Sequence, residues 1–457
     1  MRKTPFALLV TGVTVGLCAG SAGAAIFKPA KLPDKDFVKK QVEMAGYNYE
    51  ALTSPSKIFP KTKIQIYTFF NALWLQTWQA MINEYKKMQP KVTVELVQGP
   101  GNYQEKLYVM IVAGVQPDVV MSEVGHVPYF LGNGLMLPLD SYIKADKWTK
   151  IIGQTFPTII DRFTMDGHLY GMPTDTAPQA CVYYNKTLEA QAGLNPPSDT
   201  WTFDELMQYA LKLTNPDKKQ FGFQTGDWRS IIYSFGGRLV DSYKNPKKFI
   251  FNSAEAKAGL AWWESTWLRY KVSPKGGSGA DFASGKLGMY TNGIWDSEAL
   301  SANKKLVWDI AMFPRLDAGH VPVVRTGGTA LGLVKNCKHP DVAWDVIKFL
   351  TGPIGQVYTS MSGYAQPAIE PMFWTEVFAK NERMLPANKK ILAEASKHVV
   401  YEPETPVWPD IDAAINAQWS KWTSGRISLD QAISSALPSA QRLMDEGFAR
   451  RRKARAK

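Results

Sequence analysis

The chain is poor in cysteine and histidine, the residues on which metal and redox chemistry most often depends. It has three cysteines and five histidines in 457 residues, and it contains no CxxC pair and no HExxH motif. These absences exclude a disulfide scaffold and leave no sequence signature of a zinc site. We therefore expect no metal and no cofactor. Cys181 and Cys337 each lie in or beside an apolar run and are expected to be two separate thiols.

Signatures of nucleophilic and nucleotide chemistry are also missing. No GxSxG elbow is present, and Gly99-Pro100-Gly101 lacks the third glycine of a dinucleotide fingerprint. The segment 277–287 (GSGADFASGKL) has glycines one residue too far apart for a phosphate loop, and Leu287 stands where Ser or Thr would bind magnesium. Paired carboxylates for glycoside cleavage remain open, because residues distant in sequence can meet in space.

Long apolar runs are scarce. The chain has no run of eighteen apolar residues, so no transmembrane helix is predicted and the mature protein is expected to be soluble. A shorter apolar stretch over 6–17 follows Arg2 and Lys3 and precedes Ala22-Gly23-Ala24. This pattern predicts a secretory signal over 1–24, cleaved after Ala24, and export to the periplasm. A lipid anchor at Cys18 is the weaker alternative, because a leucine precedes that cysteine.

The positive charge is concentrated at the two ends of the chain. Of the formal net charge of +12, Arg2 and Lys3 carry two and the tail from residue 450 carries six, which leaves +4 over the body. A weakly basic body argues against a nucleic-acid groove. We expect the basic tail over 449–457 to be a frayed, solvated end, with contact to anionic lipid headgroups as the alternative.

Alternating strand and helix patterns begin near residue 62. Apolar periodicity predicts strands over 64–67, 92–96 and 119–121, separated by helices over 70–88 and 103–113. Such a βαβαβ order implies a parallel sheet, with ligand-binding loops at 69–71, 98–103 and 122–123 beyond the carboxyl ends of the strands. About 430 mature residues suit two domains. A second α/β region follows, in which Thr202 is the predicted N-cap of a helix over 203–213, and the pattern over 410–447 is almost entirely helical.

Four segments resemble the family 1 extracellular solute-binding proteins, which are maltose-binding-like receptors of ABC importers. They occur in the order of the family, as 117–123 (PDVVMSE), 170–186 (YGMPTDTAPQACVYYNK), 281–295 (DFASGKLGMYTNGIW) and 327–353 (GGTALGLVKNCKHPDVAWDVIKFLTGP). The resemblance implies an α/β, two-lobed periplasmic-binding-protein fold. In such a fold each lobe is a central sheet flanked by helices, here with a helical C-terminal region.

The resemblance also implies two lobes, lobe one (61–172 plus 310–350) and lobe two (175–305 plus 352–448). Outside them are the signal peptide (1–24), the basic tail (449–457) and an N-terminal extension (25–60). The extension is rich in Lys and Pro and shows weak periodicity, so it is expected to pack loosely, and both it and the tail depart from the family's usual pattern. Segments crossing between the lobes are expected near 173–178, 305–312 and 350. The cleft between the lobes would hold a sugar or polyol and close on it.

Aromatic side chains are the first candidates for contact with a sugar, because they pack against the C–H faces of its ring. Trp295 ends the third family-like segment and is expected to be a ligand plate. Trp228, between a glycine and an arginine, has the character of a loop residue and is balanced between site and structure. Tyr364 is a weaker candidate on a loop. Trp74 lies on an apolar helix face and is assigned to the core, as are the tryptophans at 262, 263 and 267.

Polar groups are the second set of candidates, because hydroxyls need carboxylate, amide and backbone partners. Glu123 and Asp175 follow strand or crossing segments and are expected to accept hydrogen bonds, although Glu123 suits a helix cap equally well. Asn71 is an amide candidate, or only a helix-start residue. Gly328 permits close backbone approach, and Arg325 beside it would pair with an acidic group or face solvent.

The favoured interpretation is a non-enzymatic receptor that takes a carbohydrate or polyol and works, as a monomer, with the membrane subunits of an importer. No nucleic-acid partner is expected. A receptor for a phosphorylated or acidic solute such as glycerol phosphate would instead need clustered cations in the cleft, for which Arg229 and Arg325 are the visible candidates. Two further alternatives are a secreted glycoside-active enzyme and a module that binds another protein.

Overall fold

A computed structural model describes residues 32–69, 72–99, 103–123, 125–274 and 282–455 of the chain. The predicted signal peptide, Cys18 and Asn71 lie outside these residues. In chain order the strands are β1 (Thr62–Thr68), β2 (Val92–Gln98), β3 (Val119–Glu123), β4 (Thr164–Met165), β5 (His168–Leu169), β6 (Met172–Pro173), β7 (Ala177–Pro178), β8 (Cys181–Asn185), β9 (Phe221–Gln224), β10 (Leu287–Asn292), β11 (Trp308–Met312), β12 (Val324–Gly327), β13 (Thr329–Leu333) and β14 (Val399–Val400).

Helices cover a larger share of the described residues than strands do. In lobe one and the segment before it they are Lys35–Met44, Tyr49–Thr53, Ala72–Met88, Tyr103–Val112, Val127–Gly132, Asp140–Ala145, Thr149–Gly153 and Pro157–Arg162. The middle of the chain has Lys186–Gln191, Phe203–Leu213, Trp228–Ser234, Ala254–Leu268 and Ser297–Ala302, with 3₁₀ turns at Pro216–Lys218 and Ile294–Asp296. The remainder are Pro340–Thr351, Pro353–Met361, Glu370–Phe373, Ile391–Ala395, Trp408–Thr423 and Leu429–Arg455.

The first sheet has the strand order β2-β1-β3-β13-β6 and forms the centre of lobe one. Strand β1 pairs in parallel with β2 and with β3, which confirms the predicted βαβαβ unit. Strand β13 is antiparallel to β3 and to β6, so a return segment from far along the chain completes the sheet. Both faces are covered by helices, and every residue of β13 is therefore buried.

The second sheet has the order β11-β8-β10-β9 and forms the centre of lobe two. Strand β8 is antiparallel to both of its neighbours, whereas β9 and β10 are parallel. Helix Phe203–Leu213 packs directly on β9, where Gly222 faces the backbone oxygen of Ala210 too closely for any side chain. Its predicted N-cap is confirmed, since the Thr202 hydroxyl accepts from the backbone N–H of Glu205 at 3.2 Å.

A third, small sheet of order β14-β12-β7 lies where the chain passes between the lobes. The chain leaves lobe one through β6, passes β7 and enters lobe two at β8. It returns through β11, β12 and β13. Because β11 pairs with β8, it belongs to lobe two, and the expected return at residue 310 falls too early.

The segment after residue 352 also lies elsewhere than expected. Helix Pro353–Met361 packs against helix Lys35–Met44 and helix Ala72–Met88, and it is therefore part of lobe one. The helical pattern in the sequence was sound, but a periodic apolar face does not show which lobe it covers. Of the tryptophans predicted to be core on helix Ala254–Leu268, Trp263 and Trp267 pack against Trp422 of a C-terminal helix, with ring centroids 5.4 and 5.8 Å apart, while Trp262 packs on Phe203 within lobe two.

The described part of the N-terminal extension is firmly packed, contrary to expectation. Helix Lys35–Met44 starts at Asp34, whose carboxylate accepts from the backbone N–H of Phe37 at 2.9 Å. Its inward residues Val38, Gln41 and Val42 are buried. The Gln41 side chain accepts from the backbone N–H of Glu376 at 2.9 Å. The sequence does not reveal this buried face. Three buried residues are enough to pack a short helix, and so few apolar positions form no clear periodic pattern.

The basic tail is helical rather than frayed. Helix Leu429–Arg455 continues through the run of arginines, and residues 456–457 lie outside the described part of the chain. Arg451 is only 14 % exposed and lies 3.7 Å from the carboxylate of Asp166 in lobe one. None of the helices in the described ranges combines the length and apolar character that a membrane crossing needs. Within those ranges Cys181 and Cys337 are both free thiols, as predicted.

The packing of the N-terminal helix leads to a direct test. Replacing Val42 by Ala removes two fully buried methyl groups, and we expect this change to lower the free energy of unfolding by about 2 kcal/mol. Met44→Ala on the same helix, at a position 42 % exposed, should cost far less and serves as the control. Urea unfolding of both variants measures the difference, and equal stabilities would mean that the helix contributes little to the fold.

Candidate functional site

The carboxyl ends of the strands in the two lobes meet at one cleft. In lobe one, Phe69 follows β1 and Glu123 ends β3; in lobe two, Asp227 follows β9 and Trp295 follows β10. Each pair of strands is parallel, so the loops after them share one edge of their sheet. A hydrogen bond joins the edges directly, because the Trp74 indole N–H donates to a Glu298 carboxylate oxygen at 3.2 Å.

Trp74, which helical spacing predicts to be core, is partly buried against the core at the edge of lobe one that faces Glu298 of lobe two. Its ring stacks on that of Tyr364, with centroids 4.6 Å apart and planes 27° from parallel. Trp78, one turn later, is buried and donates its indole N–H to the Tyr364 hydroxyl at 3.2 Å. Tyr364 is therefore a buried support, and Trp74 is the partly exposed ring above it. Because Trp74 lies in the first turn, the apolar face of its helix extends past the sheet edge there.

Trp295 lies in the 3₁₀ turn directly after β10 and is half-buried. Its indole packs on the crossing strand β12, where a Cβ atom at Gly327 would lie only 3.0 Å from the six-membered ring. The neighbouring Gly328 has a φ of +129°, which strongly favours glycine, and a Cβ there would contact Ile159 and Asp175. Gly327 therefore leaves room for the Trp295 ring, while Gly328 leaves room for Ile159 and the backbone of the outgoing crossing.

Asp175 is a structural carboxylate within a crossing segment. It is buried and accepts from the Thr174 hydroxyl at 2.9 Å, the Thr329 backbone N–H at 3.1 Å and the Thr329 hydroxyl at 2.5 Å. Burial raises its pKa to about 6, while these donors act in the opposite direction. Since the bonds tie the outgoing crossing to the returning strand β13, Asp175 has few acceptor sites left for a ligand.

Glu123 is an accessible carboxylate at the end of β3. Its side chain is 47 % exposed, although the surrounding protein displaces much of the water around it. This desolvation, together with the charges of Glu402 and Asp175, raises the pKa of Glu123 to about 7 against the pull of Arg325. His126 lies 3.7 Å away and bonds to the Tyr103 hydroxyl at 2.7 Å. Burial lowers the pKa of His126 to about 4, so it is neutral and gives Glu123 no counter-charge.

Arg325 is engaged within the protein. Its guanidinium donates to Gln179 at 2.8 and 3.0 Å and to buried Glu402 at 3.1 Å, and it lies 3.5 Å from Asp227. Three nearby arginines hold the pKa of Glu402 below its ordinary value despite burial, with Arg325 the largest contributor. The stability that Glu402 contributes is therefore present above its ordinary pKa and is lost as the pH falls through its lowered value.

The sequence suggests that Trp228 is a loop residue. In the structure it is instead the first residue of a helix that Asp227 caps. It is 4 % exposed and packs edge-on against Trp419, with centroids 5.2 Å apart. Arg229 stacks over the Trp228 ring and forms an ion pair with Asp412. Both residues therefore join lobe two to the C-terminal helices. The glycines shortly before Trp228 suggest a loop. The local sequence does not show that this segment is buried, because its burial depends on partners nearly two hundred positions away.

Of the residues predicted for the site, Glu123 and Trp295 lie at the facing strand ends, Asp175 and Arg325 are held in the crossing segments beside Gly328, and Tyr364 is buried against Trp74. Asn71 lies outside the described residues. Two participants escaped sequence reasoning. Trp74 was assigned to the core, and Glu298 was not singled out, although its position three residues after Trp295 was an available signal. Within the described residues no group of three His, Cys, Asp or Glu side chains is arranged to hold a metal ion.

Two α/β lobes joined by crossing segments, with aromatic and carboxylate groups facing each other between them, define a cleft-type ligand-binding protein. The chain matches the family model of bacterial extracellular solute-binding proteins over residues 71–357. It belongs to that family, whose members include sugar-binding components of ABC transporters.

Individual relatives agree with this assignment. A maltotriose-binding protein of Pyrococcus abyssi is 24% identical over 360 residues, which cover 75% of this chain and 74% of the relative. An ABC substrate-binding protein of Listeria monocytogenes, solved in complex with cycloalternan, has a TM-score of 0.74 at 21% identity and covers 84% of this chain and 99% of that one. A Thermotoga lettingae solute-binding protein bound to α-D-tagatose has a TM-score of 0.71 at 24% identity, with coverages of 84% and 100%.

The raised pKa of Glu123 predicts a pH-dependent stability difference. As the pH rises from its ordinary pKa of 4.5 to about 7, the unfolded chain releases a proton that the folded protein retains, so folding becomes less favourable. Glu123→Gln removes this loss. The melting temperatures of Glu123→Gln and the wild type should therefore be most similar at pH 4.5. Between pH 4.5 and pH 8 the melting temperature of the variant should rise relative to that of the wild type. Glu382→Gln, at an exposed position, is the control, and parallel profiles for Glu123→Gln and wild type would contradict the assignment.

The pairing of Arg325 with Glu402 predicts a large loss on mutation. Arg325→Ala leaves a buried carboxylate without its main counter-ion, and we expect a destabilisation of about 3 kcal/mol. Adding Glu402→Gln should restore part of that loss, because it removes the uncompensated charge. Chemical denaturation measures both, with exposed Arg383→Ala as the control. Equal stability of Arg325→Ala and the control would mean that the pairing of Arg325 with Glu402 does not stabilise the contact between β12 and the segment before the C-terminal helices.

Proposed function

We propose that this protein captures a neutral sugar or polyol between its lobes and closes upon it. The observation that carries the proposal is the pairing of partly exposed tryptophans with carboxylates across the cleft. Trp74 comes from lobe one and Trp295 from lobe two, while Glu123 and Glu298 stand beside them on lobes one and two respectively. Rings of this kind pack against sugar C–H faces, and carboxylates accept from hydroxyl groups.

A neutral solute is favoured over a phosphorylated or acidic one. Arg229 and Arg325 are the cations that such an anion would need, and both are already paired with carboxylates, at Asp412 and Glu402. An anion entering the cleft would also approach Glu123 and Asp227. A hydroxyl-bearing neutral solute avoids this repulsion and still has acceptors available.

Binding is favoured over glycoside cleavage for a related reason. Hydrolysis needs two carboxyl groups flanking one bond, one as acid and the other as base or nucleophile. Asp175 is held by two threonines, and Glu402 by Arg325, so the carboxyls that neighbour Glu123 are engaged in structure. Glu298 bonds to Trp74 and belongs to the opposite lobe. This distribution suits recognition by a receptor.

The mechanism that we propose is a hinge movement. Ligand contacts made from both lobes stabilise the closed arrangement and shift the population toward it. The exported monomer would then present this closed form to the membrane subunits of an ABC importer in the periplasm. The crossing strands β7 and β12 pair with each other, so the hinge is a continuous structure rather than a free linker.

A ligand screen tests the proposal. The protein lacking residues 1–24 is heated with mono- and disaccharides, polyols and glycerol phosphates, and its melting temperature is recorded. A solute that binds only the folded state at one hundred times its Kd stabilises the protein by about 2.7 kcal/mol. We expect a shift with a neutral sugar or polyol that Trp74→Ala and Trp295→Ala each abolish.

Trp374→Ala, at a surface position that is 41 % exposed, is the matched control and should retain the shift. Product analysis of the same samples should find the solute unchanged. A shift produced only by glycerol phosphates would replace the neutral-solute proposal with the acidic one. Release of a cleaved sugar would replace the receptor with an enzyme.

A further inference from the structure

The end of the C-terminal helix carries a dense set of cations on an ordered surface. Residues 450–453 read Arg-Arg-Arg-Lys, and the helix continues through them to Arg455. Arg451 points inward, where its guanidinium contacts the Met165 sulfur at 3.5 Å and lies near Asp166. This contact fixes the last turns on lobe one, while Arg450, Arg452 and Lys453 stay exposed.

A second set of cations adjoins this helix. The loop over 238–248 in lobe two lies beside it, since Gln441 bonds to the backbone oxygen of Lys247 at 2.9 Å and to the backbone N–H of Phe249 at 3.0 Å. The Lys247 ammonium also lies 5.8 Å from the centre of the Phe448 ring. We define the basic face as the exposed cations of the loop and the helix end, namely Arg238, Lys244, Lys247, Lys248, Arg450, Arg452 and Lys453.

Few of these charges are neutralised within the protein. Lys244 pairs with Asp161 of lobe one, and no carboxylate of the described residues lies within ion-pair distance of the other six. Of the nearby acids, Asp241 accepts the backbone N–H groups of Ser242, Lys247 and Lys248, and Glu446 pairs with Arg442. Asp445 accepts from Gln441. The donors to Asp241 and Asp445 are neutral, so both carboxylates remain charged, but the seven cations outnumber these two and Asp161. The face therefore keeps a local excess of positive charge that the weakly basic body lacks.

We propose that the basic face docks the protein on anionic phospholipid headgroups. Charge complementarity carries the proposal, because clustered exposed Lys and Arg side chains attract such a surface. The large exposed apolar side chains of the described residues lie elsewhere, so the contact is electrostatic and does not insert into the hydrocarbon. The proposal is independent of the solute held in the cleft. Docking would keep the receptor close to the membrane where its importer resides.

Vesicle flotation tests the docking. The protein lacking residues 1–24 is mixed with vesicles of equal phosphatidylglycerol and phosphatidylcholine, or of phosphatidylcholine alone. We expect binding to the anionic vesicles only, falling steeply between 50 and 300 mM salt as the charges are screened. Each cation near such a surface contributes roughly fivefold to the partition coefficient. The triple variant Arg450→Gln/Arg452→Gln/Lys453→Gln should therefore bind about one hundredfold more weakly.

The control removes the same charge from another surface. Lys61, Lys86 and Lys91 are exposed in lobe one, and replacing all three by Gln should leave binding within a fewfold of the wild type. An equal loss in both triple variants would overturn the proposal, because net charge alone would then explain binding. Equal binding to phosphatidylcholine would overturn it too, as would retention by an acidic polymer such as heparin without vesicle binding. The ligand-induced melting shift should be unchanged in every variant, so this test stands apart from that of the cleft.

Discussion

The buried pairing of Arg325 with Glu402 is the interaction on which the arrangement of the site depends. Arg325 is carried by the crossing strand β12, and Glu402 belongs to the segment that leads into the C-terminal helices. Two desolvated charges are stable only together, so the pair fixes that segment to the hinge. Through Gln179 and Asp227 the same guanidinium also contacts the first crossing and lobe two. One side chain therefore joins both crossings, lobe two and the segment before the C-terminal helices.

This use of arginine shapes the chemistry of the cleft. The arginine charges that would recognise an anion are paired with carboxylates within the protein. The groups that remain accessible are tryptophan rings and carboxylates. Glu123 shows the consequence most clearly, because it lies among other acids with a neutral histidine as its nearest basic neighbour. The residues that hold the lobes together thus also support our proposal of an uncharged, hydroxyl-bearing solute.

The C-terminal helices serve both lobes. Trp419 and Trp422 fill the aromatic core of lobe two, whereas Arg451 ends on a hairpin of lobe one. The N-terminal helix similarly seats Gln41 against the backbone of Glu376, more than three hundred positions away. The sequence suggests that both terminal segments are loose, because the first is rich in Lys and Pro with weak periodicity and the second is a run of cations. A few buried contacts outweigh that composition, since each places a side chain where solvent is excluded.

The sequence by itself determined the features that neighbouring residues control. The period of apolar residues predicted β1, β2, β3 and the helices between them, Thr202 predicted its helix cap, and four ordered segments indicated the family. Tertiary structure decided what depends on distant partners. It placed Trp74 at the cleft, buried Trp228 against Trp419, assigned β11 to lobe two and paired Arg325 with a carboxylate 77 positions later. Periodicity shows which face of an element is apolar, whereas only the folded chain shows what lies against that face.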